Sequence, residues 1–452
     1  MEFLDYLMKE LKSKKMEDVV LSFSENDVRQ IKFADNKIVN ITVESLNDIS
    51  VFVVKDKKIL TTNFKESLGD VAISGDLNIM QRKNIDKFVN RLIIFLKAIK
   101  PKEDYMGIND KKFNYKEVVD GYDSKVKNVD DVDLVYKGIN AAFKEGAKRT
   151  NGIFETHDTK STTLTSAGVE FNEKRSELYF SIRSFIAKEE SGHMNSSSRI
   201  LSKFSVENAG KESGRIAKES KNPIKGQRGK FDVIFFPMAF APLLDNIGES
   251  ASIFSVESGL SFFNNKIGKK IGSDIVNIYD DATLRNGIGS GKADSEGVIA
   301  QRTPLIENGI YRKYLHNTST ARKYRTESTG NAGLISPDPW NIVLDKGDMG
   351  LDEMIKNVKK GILVTNVWYT RFVNYHTGDF STIPRDGAFL IENGKIKQSL
   401  KGIRISDNVL KILKNIDGIG NNPVILRTWE AELPVYTPHV LVRDCKITTP
   451  TV

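Results

Sequence analysis

Two carboxylates stand four residues apart in a segment with helical periodicity, and they are the first candidates for chemistry in this chain. Asp245 and Glu249 lie in the stretch APLLDNIGES, residues 241–250. A spacing of four places both carboxylates on one face of a helix. The pair could bind a hard cation, but two ligands are too few for a dedicated site. An independent hydrolase that uses this pair is one alternative function.

The histidines and the cysteine form no metal-binding pattern in the sequence. No two histidines are close enough to make a helical pair; they are His157, His193, His316, His376 and His439. Cys445 lies in the strand-like run VLVRDCKI and is predicted to be a packed apolar thiol rather than a ligand. His316 is interpreted as a structural histidine, with a general base as the alternative.

Two other catalytic patterns are excluded by their spacing. The glycine-rich run GIGSG, residues 287–291, is followed by no Lys-Ser/Thr pair and opens no helix, so a phosphate-binding loop is not expected. The nucleophile elbow Gly-x-Ser-x-Gly is absent from the sequence, which argues against a serine hydrolase of that type.

Composition limits the class of protein. A length of 452 residues predicts two or three domains, and 39% hydrophobic with 28% charged residues is typical of a globular protein. The net charge of +8 comes from 67 basic and 59 acidic residues spread along the chain, which predicts a solvated surface and no nucleic-acid partner. A single cysteine, no long apolar run and the acidic Glu2 and Asp5 predict a cytoplasmic protein without membrane contact.

The elements that must position these residues fall into two parts. Residues 1–150 are predicted to form a two-layer α/β domain, with alternating apolar strands, a hairpin turn at 56–58 and helices ending near Pro101 and at about Lys148. Residues 151–452 are predicted to form a larger, mostly antiparallel β domain with a curved-sheet or barrel-like shape and a few helices. The fold class is therefore α+β.

Several local patterns in the second part predict specific structures. The run 230–236 reads as a buried strand and 238–250 as the helix that follows it. Residues 195–198 (NSSS) are predicted to be a loop. Hairpin turns are indicated at Asn308-Gly309, Asn393-Gly394 and Asp417-Gly418.

A series of strings in the carboxyl half resembles, in this order, the TldD/TldE family, also called PmbA or "modulator of DNA gyrase". The strings are Glu296-Gly297-Val298, residues 302–309 (RTPLIENG), 320–323 (TARK), 328–332 (STGNA), 374–381 (NYHTGDFS) and 391–395 (IENGK). The resemblance covers roughly residues 15–448 and is densest over 230–447.

The resemblance implies one of two sister subunits, a zinc peptidase or its partner without zinc. The peptidase carries His-Glu-x-x-x-His on a helix, with a later cysteine as the third ligand. In this chain the matching helix has Asp245, Asn246 and Ser250 in one frame, or Leu244, Asp245 and Glu249 in the other. The stretch that matches the cysteine string, residues 423–429, contains no cysteine. The chain therefore looks like the TldE/PmbA-like subunit, a non-catalytic one.

The implied partners and site residues follow from the same resemblance. A zinc peptidase subunit in a heterodimer, or a second copy in a self-dimer, and an unfolded peptide are the expected partners. Zinc is expected only in the partner subunit, and no cofactor in this chain. The strings form either tight turns or the lining of a peptide chamber; the candidates are Asp245, Glu249, Arg302, Arg322, Thr329, Asn331, Arg371, Thr377, Asp379 and Ser381. A non-enzymatic binder of gyrase or DNA is the remaining alternative.

Overall fold

The computed structural model describes residues 2–64 and 79–449. Within these ranges the chain forms nine α-helices: α1 Glu2–Ser13, α2 Ile79–Ala98, α3 Asp131–Lys144, α4 Val206–Glu219, α5 Pro237–Ala251, α6 Ile253–Glu257, α7 Thr318–Lys323, α8 Leu351–Lys356 and α9 Val409–Lys414. None of these helices has both the length and the apolar character that crossing a membrane requires.

The first sheet is antiparallel throughout and has the order β3-β2-β1-β4-β5-β6. Its strands are β1 Asp18–Ala34, β2 Lys37–Lys55, β3 Lys58–Asn63, β4 Arg149–Thr165, β5 Glu170–Phe185 and β6 Ser191–Ser198. Apolar residues on one face of the sheet pack against α1 and α2 at one end, and against α3 and α4 at the other. This arrangement is a two-layer α/β unit, the architecture that the sequence predicts for residues 1–150, but it also includes β4, β5, β6 and α4.

The carboxyl half contains two further sheets. Their strands are β7 Ile224–Lys225, β8 Gly229–Phe235, β9 Ile278–Asp281, β10 Arg302–Glu307, β11 Ile310–Tyr311, β12 Ile342–Leu344, β13 Lys360–Asn374, β14 Asp379–Glu392, β15 Lys395–Lys401, β16 Arg404–Asn408, β17 Ile416–Ile419, β18 Val424–Thr428, β19 Ala431–Thr437 and β20 Val440–Thr448. One sheet has the order β11-β10-β9-β12-β19-β18.

The other sheet closes on itself into a barrel. Its path runs β13-β8-β20-β16-β14, and β13 also pairs with β14, so five strands form a ring. Most pairs are antiparallel; the parallel pairs are β8 with β13, β7 with β15 and β12 with β19. The α+β class and the barrel-like carboxyl half are thereby confirmed.

Most local expectations agree with the structure. The hairpin turns at 56–58, 308–309 and 393–394 join β2 to β3, β10 to β11 and β14 to β15. Helix α5 covers the predicted helix 238–250 and follows β8. The helix predicted to reach Lys148 ends at Lys144, because the chain turns there to begin β4 at Arg149.

Two predictions of turns and loops are wrong. Residues 195–198 belong to β6, which pairs with β5. Asn195 and Ser197 bond to main-chain groups of Arg427, and Ser198 donates to Asn286, so these side chains do not face solvent. Asp417-Gly418 lies inside β17, which pairs with β20. A Cβ at Gly418 would meet the Met349 sulfur at 2.6 Å, so this glycine allows close packing rather than a turn.

The first sheet takes strands from both sides of residue 150. β1 pairs with β4 over fourteen positions, so residues 149–165 are part of the same layer as residues 18–34. Polar contacts then join this layer to the carboxyl half: Arg183 forms an ion pair of 2.6 Å with Asp386, and Arg427 one of 2.7 Å with Glu177. The division near residue 150 stays a prediction.

Candidate functional site

Helix α5 is the element at which the resemblance places catalytic chemistry, and most of it is buried. Pro237 occupies its first turn, where a missing N–H group costs no hydrogen bond. Phe240, Leu244 and Ile247 contribute to the large core of the carboxyl half. A Cβ at Gly248 would meet Ile342 at 2.6 Å and Leu433 at 2.9 Å, so the helix lies close to β12 and β19.

Asp245 fixes α5 to β19. Its Oδ1 accepts a hydrogen bond of 2.8 Å from the main-chain N–H of Leu433, and the side chain is buried. Burial raises the pKa of Asp245 to about 6, opposed by the main-chain hydrogen bonds from Leu433 and Glu432. The carboxylate is therefore used to hold two elements together.

Glu249 lies one turn later and has a different environment. In the described part of the chain its carboxylate has no hydrogen-bond or ion-pair partner, and it faces solvent at the side of α5. The protein around α5 partly desolvates the Glu249 carboxyl group, and this is the largest cause that raises its pKa to about 7. Repulsion from Asp245, Asp338 and Glu432 raises the pKa further in the same direction. We call these four residues, Asp245, Glu249, Asp338 and Glu432, the acidic cluster.

The residues around α5 do not fit a zinc ion. The two frames supply aspartate, asparagine and serine, or leucine, aspartate and glutamate, where the peptidase has histidine, glutamate and histidine. Across the described ranges, no three His, Cys, Asp or Glu side chains come together in a group that could hold a metal ion. A zinc site with three protein ligands needs such a group, and imidazole or thiolate donors are its usual members.

The histidines and the cysteine are dispersed over the fold. His193 is buried in β6, where it bonds to Ser181 and Asn366. Burial lowers the pKa of His316 and of His439 to about 4, so both imidazoles are neutral at physiological pH. Cys445 is fully buried in β20, and burial raises the pKa of its thiol well above the usual value.

Thr329 and Asn331, in the string 328–332, form side-chain hydrogen bonds to other segments of the chain. Thr329 Oγ1 accepts a hydrogen bond of 2.7 Å from the His316 N–H and donates one to the His316 carbonyl. Asn331 Nδ2 donates to Asp280 Oδ2 at 2.5 Å and to the Asp338 carbonyl at 2.9 Å. The polar atoms of both side chains are therefore engaged in hydrogen bonds within the protein.

Arg302 and Arg322 also have partners within the chain. Arg302 pairs with Asp345 at 3.0 Å and lies over the ring of Tyr279, 3.7 Å from its centre. Arg322 donates to the Met106 carbonyl at 2.8 Å and pairs with Asp110 at 3.3 Å, so it joins α7 to the connection before α3.

The strings around residue 377 close the hairpin between β13 and β14. Thr377 Oγ1 donates to Asp379 Oδ2 at 2.5 Å, and Asn408 donates to the other carboxylate oxygen of Asp379 at 2.9 Å. Ser381 Oγ accepts from Arg404, and Arg371 donates to the Thr370 carbonyl. The ten predicted site residues lie in separate groups: Asp245 and Glu249 on α5, Thr329 with Asn331, and the hairpin residues Arg371, Thr377, Asp379 and Ser381, while Arg302 and Arg322 lie elsewhere. A role for any of them in peptide binding stays a prediction.

A bulge in β13, next to Glu430, was not predicted from the sequence. Tyr369 has a φ of 57°, which is strained for an aromatic residue. Glu430 holds this conformation, because its two carboxylate oxygens accept the N–H groups of Tyr369 and Thr370 at 2.9 Å each. Tyr369 is 48% exposed and Trp429 is 52% exposed, and both lie next to Glu430, two residues before Glu432.

Three buried carboxyl groups were also missed as site residues. Burial raises the pKa of Asp280 to about 7, that of Asp294 to about 7 and that of Glu296 to about 8. Their oxygens accept main-chain N–H groups, such as those of Trp340, Ala332 and Thr318. Glu296 opens one of the family strings, which was a signal in the sequence.

Comparisons with known proteins agree with this architecture. Residues 228–449 match the family described as PmbA/TldA metallopeptidase C-terminal domain. The chain is 29% identical over 428 residues, 89% of each chain, to a protein named as a metalloprotease from Methanocaldococcus jannaschii. It is 32% identical over 224 residues to a TldD homolog from Buchnera aphidicola, which covers 48% of this chain and 46% of that protein.

A solved structure has the same fold. TldE from Thermococcus kodakarensis superimposes with a TM-score of 0.85 at 20% identity, over 99% of this chain and 100% of that one. The relatives thus carry the names of both sister types, TldD and TldE. The residues that match the family model, 228–449, include the barrel, α5 and the second sheet of the carboxyl half. On these grounds the chain belongs to the TldD/PmbA metallopeptidase family.

Proposed function

We propose that this chain is the TldE/PmbA-like subunit of a TldD/TldE-type metalloprotease complex. In this role it has no zinc site of its own, it shapes the wall of the proteolytic chamber and it binds unfolded peptide. A sister subunit that carries His-Glu-x-x-x-His supplies the metal and the chemistry.

One observation carries the proposal: the position of Asp245 on α5. The helix that would present zinc ligands instead presents a carboxylate that accepts the Leu433 N–H at 2.8 Å. A carboxylate fixed by a main-chain donor in a buried setting is a structural link. The neighbouring residues Leu244 and Ile247 are fully buried and offer no donor atom.

The surface beside α5 supports peptide binding. Glu249 and Glu432 are exposed acidic side chains of the acidic cluster, and the exposed residues Tyr369 and Trp429 both lie next to Glu430, two residues before Glu432. Acidic groups favour the lysine and arginine side chains of a peptide, and aromatic rings provide apolar contact area with little loss of side-chain entropy. The expected substrate is an extended segment that carries basic residues.

The test measures zinc and peptidase activity in three samples: this chain alone, the sister subunit alone and the two together. We expect cleavage of a loosely folded protein only in the mixture, with zinc in the sister subunit. The matched control replaces the histidines of the sister's motif, which should abolish cleavage while this chain still co-purifies. Stoichiometric zinc together with peptidase activity in this chain alone would overturn the proposal.

A second candidate function is favoured by the raised pKa values on α5. Asp245 has a pKa of about 6 and Glu249 one of about 7, a range in which carboxyl groups exchange protons readily at neutral pH. A hydrolase that uses this pair would be active as an isolated chain in the presence of a chelator. Glu249→Gln would abolish that activity, whereas Glu353→Gln, on the exposed face of α8, would leave it unchanged.

A further inference from the structure

A basic cavity of about 490 Å³ opens between the turn that joins β5 to β6 and the strands β14, β15 and β16 of the carboxyl half. Its lining contains five basic residues against two acidic ones, a formal charge of +3. The basic residues are Arg183, Lys188, Arg385, Lys401 and Arg404. A concave surface lined by one sign of charge concentrates the electric field and attracts ions of the opposite sign.

A bulge in β14 shapes one wall of the basic cavity. The register shifts there, so that Asp386 and Gly387 of β14 stand opposite the single residue Thr365 of β13. Asp386 has a φ of 55°, in the left-handed region that few residues other than glycine adopt. The Thr365 hydroxyl holds the bulge, because it donates to the carbonyls of Asp386 at 2.7 Å and Gly387 at 3.0 Å. The side chain of Asp386 is fully buried, whereas its neighbour Arg385 is exposed. Bulges commonly redirect side chains in this way beside functional sites.

Asp386 fixes the guanidinium group of Arg183 at the cavity. Arg183 Nε donates to Asp386 Oδ1 at 2.6 Å, and the Ser191 hydroxyl donates to the same oxygen at 2.6 Å. The guanidinium group also lies over the rings of Phe185 and Trp368, 5.0 Å and 4.7 Å from their centres. Within the described ranges Arg183 Nη1 has no hydrogen-bond partner, and Nη2 makes one long bond of 3.4 Å to Ser191. Arg183 is therefore oriented in advance for a further acceptor.

Arg385 contacts the same aromatic ring as Arg183. Its guanidinium group lies 5.1 Å from the centre of Trp368. Two cations beside one ring repel each other, and an anion that binds to both relieves this repulsion. The arrangement is therefore stabilised by a negatively charged ligand.

Three of the five basic residues have no acidic partner. The two acidic residues of the lining are already paired, Asp386 with Arg183 at 2.6 Å and Glu189 with Lys401 at 2.7 Å. In the part of the chain that the structure describes, no carboxylate forms an ion pair with the other three, which are Lys188, Arg385 and Arg404. The positive charge of the cavity is thus available to a ligand.

A buried hydroxyl group completes the lining. Ser399 is 4% exposed and lines the cavity, and its hydroxyl has no hydrogen-bond partner among the described residues. Buried polar groups normally have partners, so an unpaired one at a cavity indicates a ligand that supplies an acceptor. The remaining wall includes apolar residues, among them Ile383, Leu400 and Ile403.

We infer that the basic cavity binds the phosphate group of a small organic phosphate ester. A phosphate dianion has enough charge and enough oxygen atoms to bind several cationic groups at once, and guanidinium groups match its geometry. A carboxylate has a single charge and two oxygens, and would leave most of the positive charge uncompensated. The volume of about 490 Å³ leaves room for an organic group against the apolar wall. The basic cavity shares no residue with the acidic cluster and goes beyond the proposed function.

Isothermal titration calorimetry of the full chain tests the ligand class, with phenyl phosphate, inorganic phosphate and benzoate as probes. We expect phenyl phosphate to bind more tightly than inorganic phosphate, because its ring contacts the apolar wall, and at least about tenfold more tightly than benzoate, because of its second charge. Binding should weaken as the salt concentration rises from about 50 to 500 mM. The absence of saturable binding of phenyl phosphate up to about 10 mM would overturn the inference. Equal affinity for benzoate would contradict a phosphate site, and equal affinity for inorganic phosphate would contradict an organic ester.

Two pairs of variants test the location of the site. Arg385→Gln should weaken binding of phenyl phosphate about five- to twentyfold. Arg325→Gln, at an exposed arginine just after α7, is the matched control and should bind like the parent. Ser399→Ala should weaken binding about two- to fivefold without lowering the melting temperature, because its hydroxyl has no partner to lose. Ser273→Ala removes another buried hydroxyl without a described partner and should leave binding unchanged.

Unchanged affinity in Arg385→Gln would show that phenyl phosphate binds elsewhere, and would overturn the inference. Equal losses in Arg385→Gln and Arg325→Gln would do the same, because they would indicate a general charge effect. Circular dichroism of each variant checks that it is folded. These measurements use neither peptide nor the sister subunit, so their failure would leave the proposed function intact.

Discussion

The carboxylate of Asp245 and the main-chain N–H of Leu433 form a hydrogen bond of 2.8 Å between residues 188 positions apart in the sequence. This bond joins α5 to the first residues of β19, just after the hairpin that also supplies Glu430 to the bulge in β13. The carboxylate of Asp245 thus accepts a main-chain N–H group of the second sheet, and the carboxylate of Glu430 accepts two from the barrel strand β13. The helix on which the resemblance places metal ligands carries a carboxylate that makes a structural hydrogen bond.

Replacement of Asp245 by alanine should destabilise the protein. The Leu433 N–H loses its acceptor in a buried setting, which costs about 1–3 kcal/mol. Thermal unfolding at pH 6 measures the loss, and Glu327→Ala, an exposed glutamate, is the control that should change little. Asp245→Asn keeps an acceptor oxygen without the charge. The pKa of Asp245 is raised to about 6 in the folded chain, so the protonated carboxyl group stabilises the fold and this stabilisation is lost as pH rises from about 4 to 6. At pH 8 the Asp245→Asn variant should therefore be as stable as the parent protein or more stable.

Glu430 should be more important for stability than its neighbour Glu432. Glu430→Ala frees the amides of Tyr369 and Thr370 and should lower the free energy of unfolding by about 1–3 kcal/mol. Glu432→Ala is the matched control, since Glu432 lies two residues away and is exposed. Denaturant unfolding compares the two variants. Tyr369→Gly should stabilise the bulge by about 1 kcal/mol by relieving the positive φ, and a loss of stability would show that the ring's contacts outweigh the strain.

The raised pKa values of the buried carboxyl groups predict that the folded protein is less stable at alkaline pH. Glu296 has a pKa of about 8 in the folded chain, above its ordinary value near 4.5. The folded state therefore binds the proton more tightly than the unfolded state, and this contribution is present below pH 4.5 and is lost as pH rises through about 8. Glu296→Gln should raise the melting temperature at pH 9 and flatten its dependence on pH between 6 and 9. Equal slopes for parent and variant would disprove this assignment.

Binding of a basic unfolded peptide should depend on the acidic cluster. Glu249→Gln should weaken binding about two- to fivefold at low salt, with a larger effect at pH 8 than at pH 6, because the pKa of Glu249 is about 7. Fluorescence anisotropy with a labelled peptide measures the affinity. Glu353→Gln keeps the same net charge change on a distant helix and should have no effect. Equal losses in both variants would indicate a general charge effect instead of a site.

The single thiol should be unreactive in the folded protein. Cys445 is fully buried, and its raised pKa keeps it protonated at neutral pH. A thiol reagent should therefore modify no cysteine in the native chain and one per chain in denaturant. Rapid modification under native conditions would show that β20 opens, and would reopen the question of a thiolate ligand.

Much of the fold could be read from local patterns. The apolar stripes of α2 and α5, and the hairpins at 308–309 and 393–394, depend on residues within one or two turns of each other. The same patterns failed at residues 195–198 and at Asp417-Gly418, because small or turn-forming residues were placed in strands by contacts with distant elements.

By itself the sequence determined that this chain has no histidine pair and no cysteine near α5, since that depends only on which residues are present. It also determined the apolar alternation of residues 39–43, which can be read without coordinates. Only the tertiary structure decided that Asp245 accepts a hydrogen bond from Leu433 whereas Glu249 has no such partner, and that Val39, Ile41 and Val43 are exposed. The reason is physical: the partners of a side chain and its pKa are set by neighbours that folding brings from tens or hundreds of residues away.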